Sequence, residues 1–253
     1  MIPCSVYMVA KNSAECLPRA LASVRDFAQI VIVVDAASTD RTEAVARATP
    51  NAIVQVRPWE GYVGSKTYAL SLCTQEWALN LDADEEVTPE LAAEISRIIE
   101  AGQADAINVT FTEYFLGKPN HPWIHTHDKV RAFRRGKGEY EAGALVHEGI
   151  VVAGKTVDAK GRILHYGNNR LSDLLAKDAV YSTLKARERY ARGQRPRATK
   201  LLFTFAFTFL VQYFLRRNFL NGWRGFIQCK AWAMYSFSKE AKLYSMWKTG
   251  GDI

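Results

Sequence analysis

The first hundred residues alternate two patterns of hydrophobic and polar positions. Apolar runs of seven to nine residues (IPCSVYMVA from Ile2, QIVIVVD to Asp35, NAIVQVR from Asn51, EWALNLD to Asp82) are separated by stretches with apolar residues at helical spacing. Continuous apolar runs suit strands buried on both faces. The intervening ECLPRALASV, STDRTEAVARA, SKTYALSLC and TPELAAEISRIIEAG supply the helices that cover a parallel sheet. Ser38 or Thr39 is expected to cap the second helix. Thr88 is expected to cap the fourth, with Pro89 in its first turn and Gly102 near its end.

From about Ala104 the runs shorten. ADAINVTFTEYFLG, KVRAFRR, HEGIVV and RILHYG read as short strands between Gly, Pro and charged turns, so the sheet gains mixed or antiparallel members. Helical periodicity returns after Leu171, breaks at Pro196, and resumes in a Phe-rich stretch, Leu201 to Leu215, and again from Trp223 to Trp247. The expected class is α/β: a Rossmann-like mixed sheet flanked by helices in residues 1–169, and a helical C-terminal appendage, 170–253, packed on it.

At 253 residues and 48% hydrophobic the chain can bury a full core. Its four cysteines form no C-x-x-C, which argues against a disulfide framework or a zinc knuckle and makes a reducing, cytoplasmic setting the expectation. No secretory signal pattern is visible at the N-terminus. Leu201 to Leu215 as a helix would be about 22 Å long, short of a hydrocarbon core of about 30 Å, and Phe203, Phe207 and Leu210 are expected to face inward.

Charge is uneven. Residues 1–169 hold 17 Lys+Arg and 21 Asp+Glu, a balance of −4, whereas 170–253 hold 16 and 5, a balance of +11. A basic tail implies an anionic partner, nucleic acid or a membrane surface. The chain has no helix-turn-helix, zinc-finger or RNA-binding signature, so nucleic acid is not expected. Lys200, Arg216 and Arg217 bracket the aromatic stretch, so 200–217 is the expected contact with a cytoplasmic membrane surface, at the inner leaflet.

The candidate chemistry lies at strand ends, where open α/β sheets place their ligands. Asp35 ends one strand and the cluster Asp82, Asp84, Glu85, Glu86 ends another. A dinucleotide site is disfavoured because the first turn, VAKNSAECL, has no glycine to let a pyrophosphate approach the backbone. Asp82 and Asp84, one residue apart, can face one divalent cation, Mg²⁺ or Mn²⁺, that also meets a diphosphate. On spacing alone they can equally form a solvated turn, with Glu85 and Glu86 favouring the following helix dipole. Arg131 and Arg134 alternate with apolar residues and are either solvated or phosphate contacts. His147 and His165 are either structural or ligands.

Taken together, IVIVVDAASTDRT (30–42) and LNLDADEEVTPEL (79–91) resemble the family 2 glycosyltransferases of the GT-A fold. WEGYVGSKTYAL, YFLGK followed by DKVRAFRR, VHEGI, ILHY and the aromatic tail are similar to the bacterial lipopolysaccharide core β-1,4-glucosyltransferase branch. The resemblance implies a nucleotide-sugar donor, with Ala10, Asn12 and Asp35 at the nucleoside, Lys66 near the phosphates, Asp82 bordering the donor and Asp84 holding the metal, His165 being a further candidate ligand. It also implies an inverting hexosyltransferase with Glu148 as base and Asp128 in reserve, and with Arg131, Arg134 and His147 toward acceptor or phosphate. UDP-glucose is the expected donor and a lipopolysaccharide inner-core or other lipid-linked glycan the expected acceptor. The competing expectation is a catalytically silent scaffold of this fold that binds membrane or nucleic acid through its tail. Ala36 and Ala37, where the family often has acidic, Ser or Gly residues, depart from the pattern.

Overall fold

The structure is a computed structural model that describes residues 1–124, 126, 128–140, 149–168 and 170–252. In chain order its elements are β1 (Ile2–Ala10), α1 (Leu17–Ser23), β2 (Phe27–Asp35), α2 (Thr42–Arg47), β3 (Ala52–Arg57), α3 (Gly61–Ser71), β4 (Trp77–Asn80), β5 (Glu85–Val87) and α4 (Pro89–Ala101). They continue with β6 (Ala106–Phe115), β7 (Lys118–Pro119), β8 (Asp128–Arg134), β9 (Gly138–Tyr140), β10 (Ile150–Val152) and β11 (Thr156–Asn168). Three helices follow, α5 (Leu171–Ala191), α6 (Ala198–Leu210) and α7 (Trp223–Thr249). Two compact units result, Met1–Thr112 with His127–Tyr166, and Glu113–Thr126 with Gly167–Ile253.

In the first unit the strand order is β3-β2-β1-β4-β8-β6-β11-β5. β1 to β4 are mutually parallel where they pair. β8 runs antiparallel to β4, β6 to β8, and β5 to β11. Because side chains alternate across a strand, the apolar runs fill both faces. Val6, Met8, Ile32 and Val34 pack with Leu91 and Ile95 of α4, while Tyr7, Val31 and Val33 pack with Ala69 of α3 and Phe133 of β8.

α4 begins as its sequence predicts. The Thr88 hydroxyl accepts from the Leu91 amide, Pro89 follows it, and Gly102 ends the helix at φ 64°. β11 is held against this start, since Glu94 accepts from the amides of Lys160 and Gly161, and a Cβ on Gly161 would lie 2.4 Å from Leu91 Cα. α2 departs from expectation. It starts at Thr42, after Arg41, with neither Ser38 nor Thr39 as cap, because Asp40 takes the Thr42 amide and hydroxyl and the Thr39 amide is donated to Asn12. Glu85 and Glu86 also depart from it: they lie in β5, paired with His165 and Leu164 of β11, instead of in a solvated helix entry.

In the second unit α5 and α7 are joined by Arg189, which donates to both carboxylate oxygens of Glu240 at 2.7 and 3.1 Å, and by Lys242, which donates to Ser182 and Thr183. Arg224 donates to the carbonyls of Phe115, Lys118 and Pro119, and Asn221 to Asn120. A Cβ on Gly225 would fall 1.9 Å from the Asn218 carbonyl oxygen, so this close approach requires glycine. Phe203, Phe207 and Leu210 do not face inward: they are 64%, 68% and 52% exposed, because α7 meets the other side of α6. The helical run also exceeds the expected span. Ala198–Leu215 is an 18-residue helix long and apolar enough to cross a membrane.

Candidate functional site

The carboxyl ends of β1, β2 and β4 lie side by side, with Ala10 opposite Val34 and Tyr7 opposite Asn80. Asp35 closes β2 almost wholly buried. Lys11 Nζ stands 2.7 Å from its Oδ2, the Ala37 amide donates to its Oδ1 at 2.9 Å, and the Lys11 hydrogen bond holds the carboxyl below its usual range. Asn12, at φ 47°, accepts from the Thr39 amide at 2.8 Å and so ties the β1–α1 loop to the β2–α2 loop. The Ala10 methyl is part of the core, which leaves its backbone to border this end of the sheet.

One strand further on, two cations converge on the acidic cluster. α3 buries Lys66, whose Nζ lies 2.8 Å from Asp82 Oδ1 and 3.4 Å from Asn80 Oδ1. β8 brings buried Arg131 to the same place: Nη1 donates to Asn80 Oδ1 at 2.7 Å, and Nη2 to Asp82 Oδ2 at 3.3 Å and to Glu85. The other Glu85 oxygen accepts from the Asp82 amide at 2.9 Å. Burial tends to raise the Asp82 carboxyl, but Lys66 and Arg131 outweigh it and hold the group well below the ordinary carboxylate range. Glu85 is enclosed more completely, and burial pushes it upward against the pull of Arg131. Among the described residues the buried Asn80 amide nitrogen and Arg131 Nε meet no hydrogen-bond partner.

Asp84 points elsewhere. Its Oδ2 lies 3.5 Å from His165 Nε2, its carbonyl accepts from the Tyr166 amide, and both side chains are partly exposed. Glu86, beyond it, accepts from the Tyr166 hydroxyl at 2.9 Å, and Arg19 stacks on the Tyr166 ring at 3.5 Å. Among the described residues no group of three His, Cys, Asp or Glu gathers as a metal cage. Asp84 and His165 supply one oxygen and one nitrogen donor; the carboxylate suits Mn²⁺ or Mg²⁺ when a diphosphate provides further oxygens, whereas the imidazole does not favour Mg²⁺.

The remaining sequence candidates are dispersed. Asp128 is exposed at the start of β8 and accepts from Thr110 at 2.7 Å. Arg131 is not solvated surface. Arg134 is turned to the other end of β4, where it pairs with Glu76 and Asp105 and donates to the Ala104 carbonyl. Glu148 and His147 lie outside the described residues. Sequence reasoning missed Lys11, Asn80 and the Glu85–Arg131 pair. The signal for the last two was present, a polar Asn80 and a charged Arg131 each set inside an apolar run.

Comparison with known proteins shows the family. The family model described as Glycosyl transferase family 2 matches residues 5–154. The chain is 36% identical to the lipopolysaccharide core biosynthesis glycosyltransferase LpsC of Rhizobium meliloti (strain 1021), over 96% of this chain and 92% of that one. It is 32% identical to an uncharacterized glycosyltransferase of Rickettsia bellii (strain RML369-C), over 94% and 85%. Among solved structures, S. aureus TarS 1-349 in complex with UDP-GlcNAc superposes with a TM-score of 0.51 at 12% identity, covering 98% of this chain and 92% of that one.

Proposed function

Because the chain belongs to glycosyl transferase family 2 and has its GT-A fold, we propose that it transfers a hexose from a nucleoside diphosphate donor to a lipopolysaccharide inner-core or other lipid-linked glycan, with inversion at the anomeric carbon. UDP-glucose is the first choice of donor. The bound UDP-GlcNAc of TarS, and the lipopolysaccharide role in the name of the Rhizobium relative, are in keeping with this reading. The work takes place at the inner leaflet of the cytoplasmic membrane, where a soluble donor and a lipid-linked acceptor meet.

The observation that carries the proposal is the division of labour between two neighbouring acids. Asp82 is locked by Lys66 and Arg131, while Asp84 is turned to His165. Asp35 and Asn12 hold the nucleoside, Lys66 and Asp82 border the diphosphate and sugar, and Asp84 with His165 hold a divalent cation. When bound, that cation supplies positive charge against the departing diphosphate. In the transfer an acceptor oxygen forms a bond to the anomeric carbon as the bond to the diphosphate breaks, and the acceptor proton passes to a carboxylate. Glu148 is proposed for that role, with Asp128 in reserve.

A thermal-shift panel of wild type and Asp84→Asn with Mn²⁺ or Mg²⁺ and UDP, GDP, dTDP, ADP or CMP tests the reading. A ligand at about 100 times its dissociation constant stabilises the native state by about 2.7 kcal/mol. Metal-dependent stabilisation by one nucleotide, lost in Asp84→Asn, is the expected result. No response to any nucleotide would sink the donor assignment and favour the silent scaffold.

A further inference from the structure

α6 and its helical continuation to Leu215 invert the usual surface helix. From Leu201 to Leu215 the half-buried stripe Thr204, Phe205, Thr208, Phe209, Gln212 and Tyr213 holds the hydroxyl and amide groups, and it is this stripe that meets α7. Phe226 lies edge-on to Phe209 and Tyr213 at 5.6 and 5.9 Å, and Lys230 Nζ stands 4.8 Å from the Phe209 ring centre. The outward stripe is Leu202, Phe203, Ala206, Phe207, Leu210 and Phe214, all exposed and none polar. Leu215, at the end of the helical run, and Trp223 are 71% and 80% exposed, and Trp223 lies edge-on to Phe226, the ring that packs on Phe209 and Tyr213. An exposed apolar stripe at helical spacing of this kind marks a contact with something other than water.

Cations frame the patch. From Arg189 to Lys239 the chain has ten Lys+Arg and no Asp or Glu. Arg197 and Lys200 at one end of the stripe, and Arg216 and Arg217 at the other, are exposed. Apolar surface between exposed cations, without an acid in the segment, complements an anionic lipid surface.

We propose that the outward face of α6, extended by Leu215 and Trp223, docks in the plane of an anionic phospholipid bilayer. The rings enter the boundary between headgroups and acyl chains, and the flanking Arg and Lys lie among the headgroups. This deepens the inner-leaflet location proposed above and rests on it. The helix does not span: its inner stripe is packed on α7, which carries Lys230, Lys239, Lys242 and the Glu240 partner of Arg189, and crossing would draw those charges into hydrocarbon. A second copy is a poorer occupant, because joining two such faces sets one acid-free cationic frame against another.

The test uses the full chain in co-sedimentation with phosphatidylcholine vesicles, with and without phosphatidylglycerol, at low and high salt. Binding is expected only with phosphatidylglycerol. It is expected to weaken at least tenfold in high salt, in Phe203→Ser/Phe207→Ser and in Arg216→Gln/Arg217→Gln, and to be released by alkaline carbonate. Brominated acyl chains are expected to quench wild-type fluorescence more than that of Trp223→Phe. The proposal is overturned by absent binding, by binding that the Phe203→Ser/Phe207→Ser variant retains, by resistance to carbonate, or by a lipid-free dimer that this variant dissociates. Nucleotide-induced thermal shifts, measured without vesicles, confirm that each variant is folded. Lost vesicle binding with an intact shift concerns this face alone, whereas a missing shift in the wild type concerns the donor reading.

Discussion

Asn80 offers one carbonyl oxygen to both Lys66 and Arg131, which places a neutral acceptor between two cations that would otherwise repel each other. Asn80→Ala removes that acceptor from a buried guanidinium, and should cost about 1–3 kcal/mol in urea unfolding while raising the KM for donor. Arg131→Met should cost more, about 3–5 kcal/mol, because Glu85 is left as an uncompensated buried acid. Equal losses in the two variants would contradict this ranking. Asp35 gives the pH prediction. Its folded-state carboxyl lies below its unfolded value, so its contribution to stability is complete above about pH 4 and disappears as the pH falls through the lower folded value. Lys11→Met should therefore lower stability at neutral pH, converge with the wild type as the pH falls through the folded value, and so flatten the acid limb of stability against pH. The sequence marks Asp35, Asp82 and Asp84 as candidates by their strand-end positions, but Lys11 carries no such mark, since an exposed lysine after a strand is ordinary.

Among the elements, α4 and β11 set the position of the acidic loop. Thr88 caps α4 and also accepts from the Arg162 amide, so Thr88→Ala should lose about 1 kcal/mol or somewhat more. Gly161→Ala should lose more than Thr88→Ala, because its Cβ meets Leu91 backbone and only separation of β11 from α4 relieves the clash. As β11 carries His165 opposite Glu85, the same substitution should weaken metal-dependent nucleotide binding in thermal shift. The start of α4 is legible because Thr-Pro and a closing Gly are local signals. The start of α2 is not, because Ser38 and Thr39 look equally like caps until Asp40 and Asn12 take the relevant hydrogen bonds. β5 is illegible for a related reason: three residues, two of them acidic, become a strand only because β11 lies beside them.

At the scale of the whole molecule, charge of opposite balance is handled in two ways. Residues 1–169 carry −4 and set Asp82 and buried Glu85 against Lys66 and Arg131, whereas 170–253 carry +11, with exposed cations around an apolar face. Raising ionic strength should therefore leave the stability contributed by the buried Arg131–Glu85 pair little changed, as chemical denaturation would measure, but weaken attachment to anionic vesicles. The sequence by itself determined the alternation of apolar runs and helices, the parallel half of the sheet, the gathering of acids at strand ends and the basic, aromatic tail. These follow from periodicity, caps and composition, which act over a few residues. Only the tertiary structure decided that Arg131, 46 residues from Glu85 in sequence, neutralises it, that Asp84 turns to His165, and that Phe203 and Phe207 face outward. Those outcomes depend on β8 lying antiparallel beside β4, on β11 crossing to β5, and on which side of α6 is packed by α7. Each is a long-range pairing that no local pattern encodes.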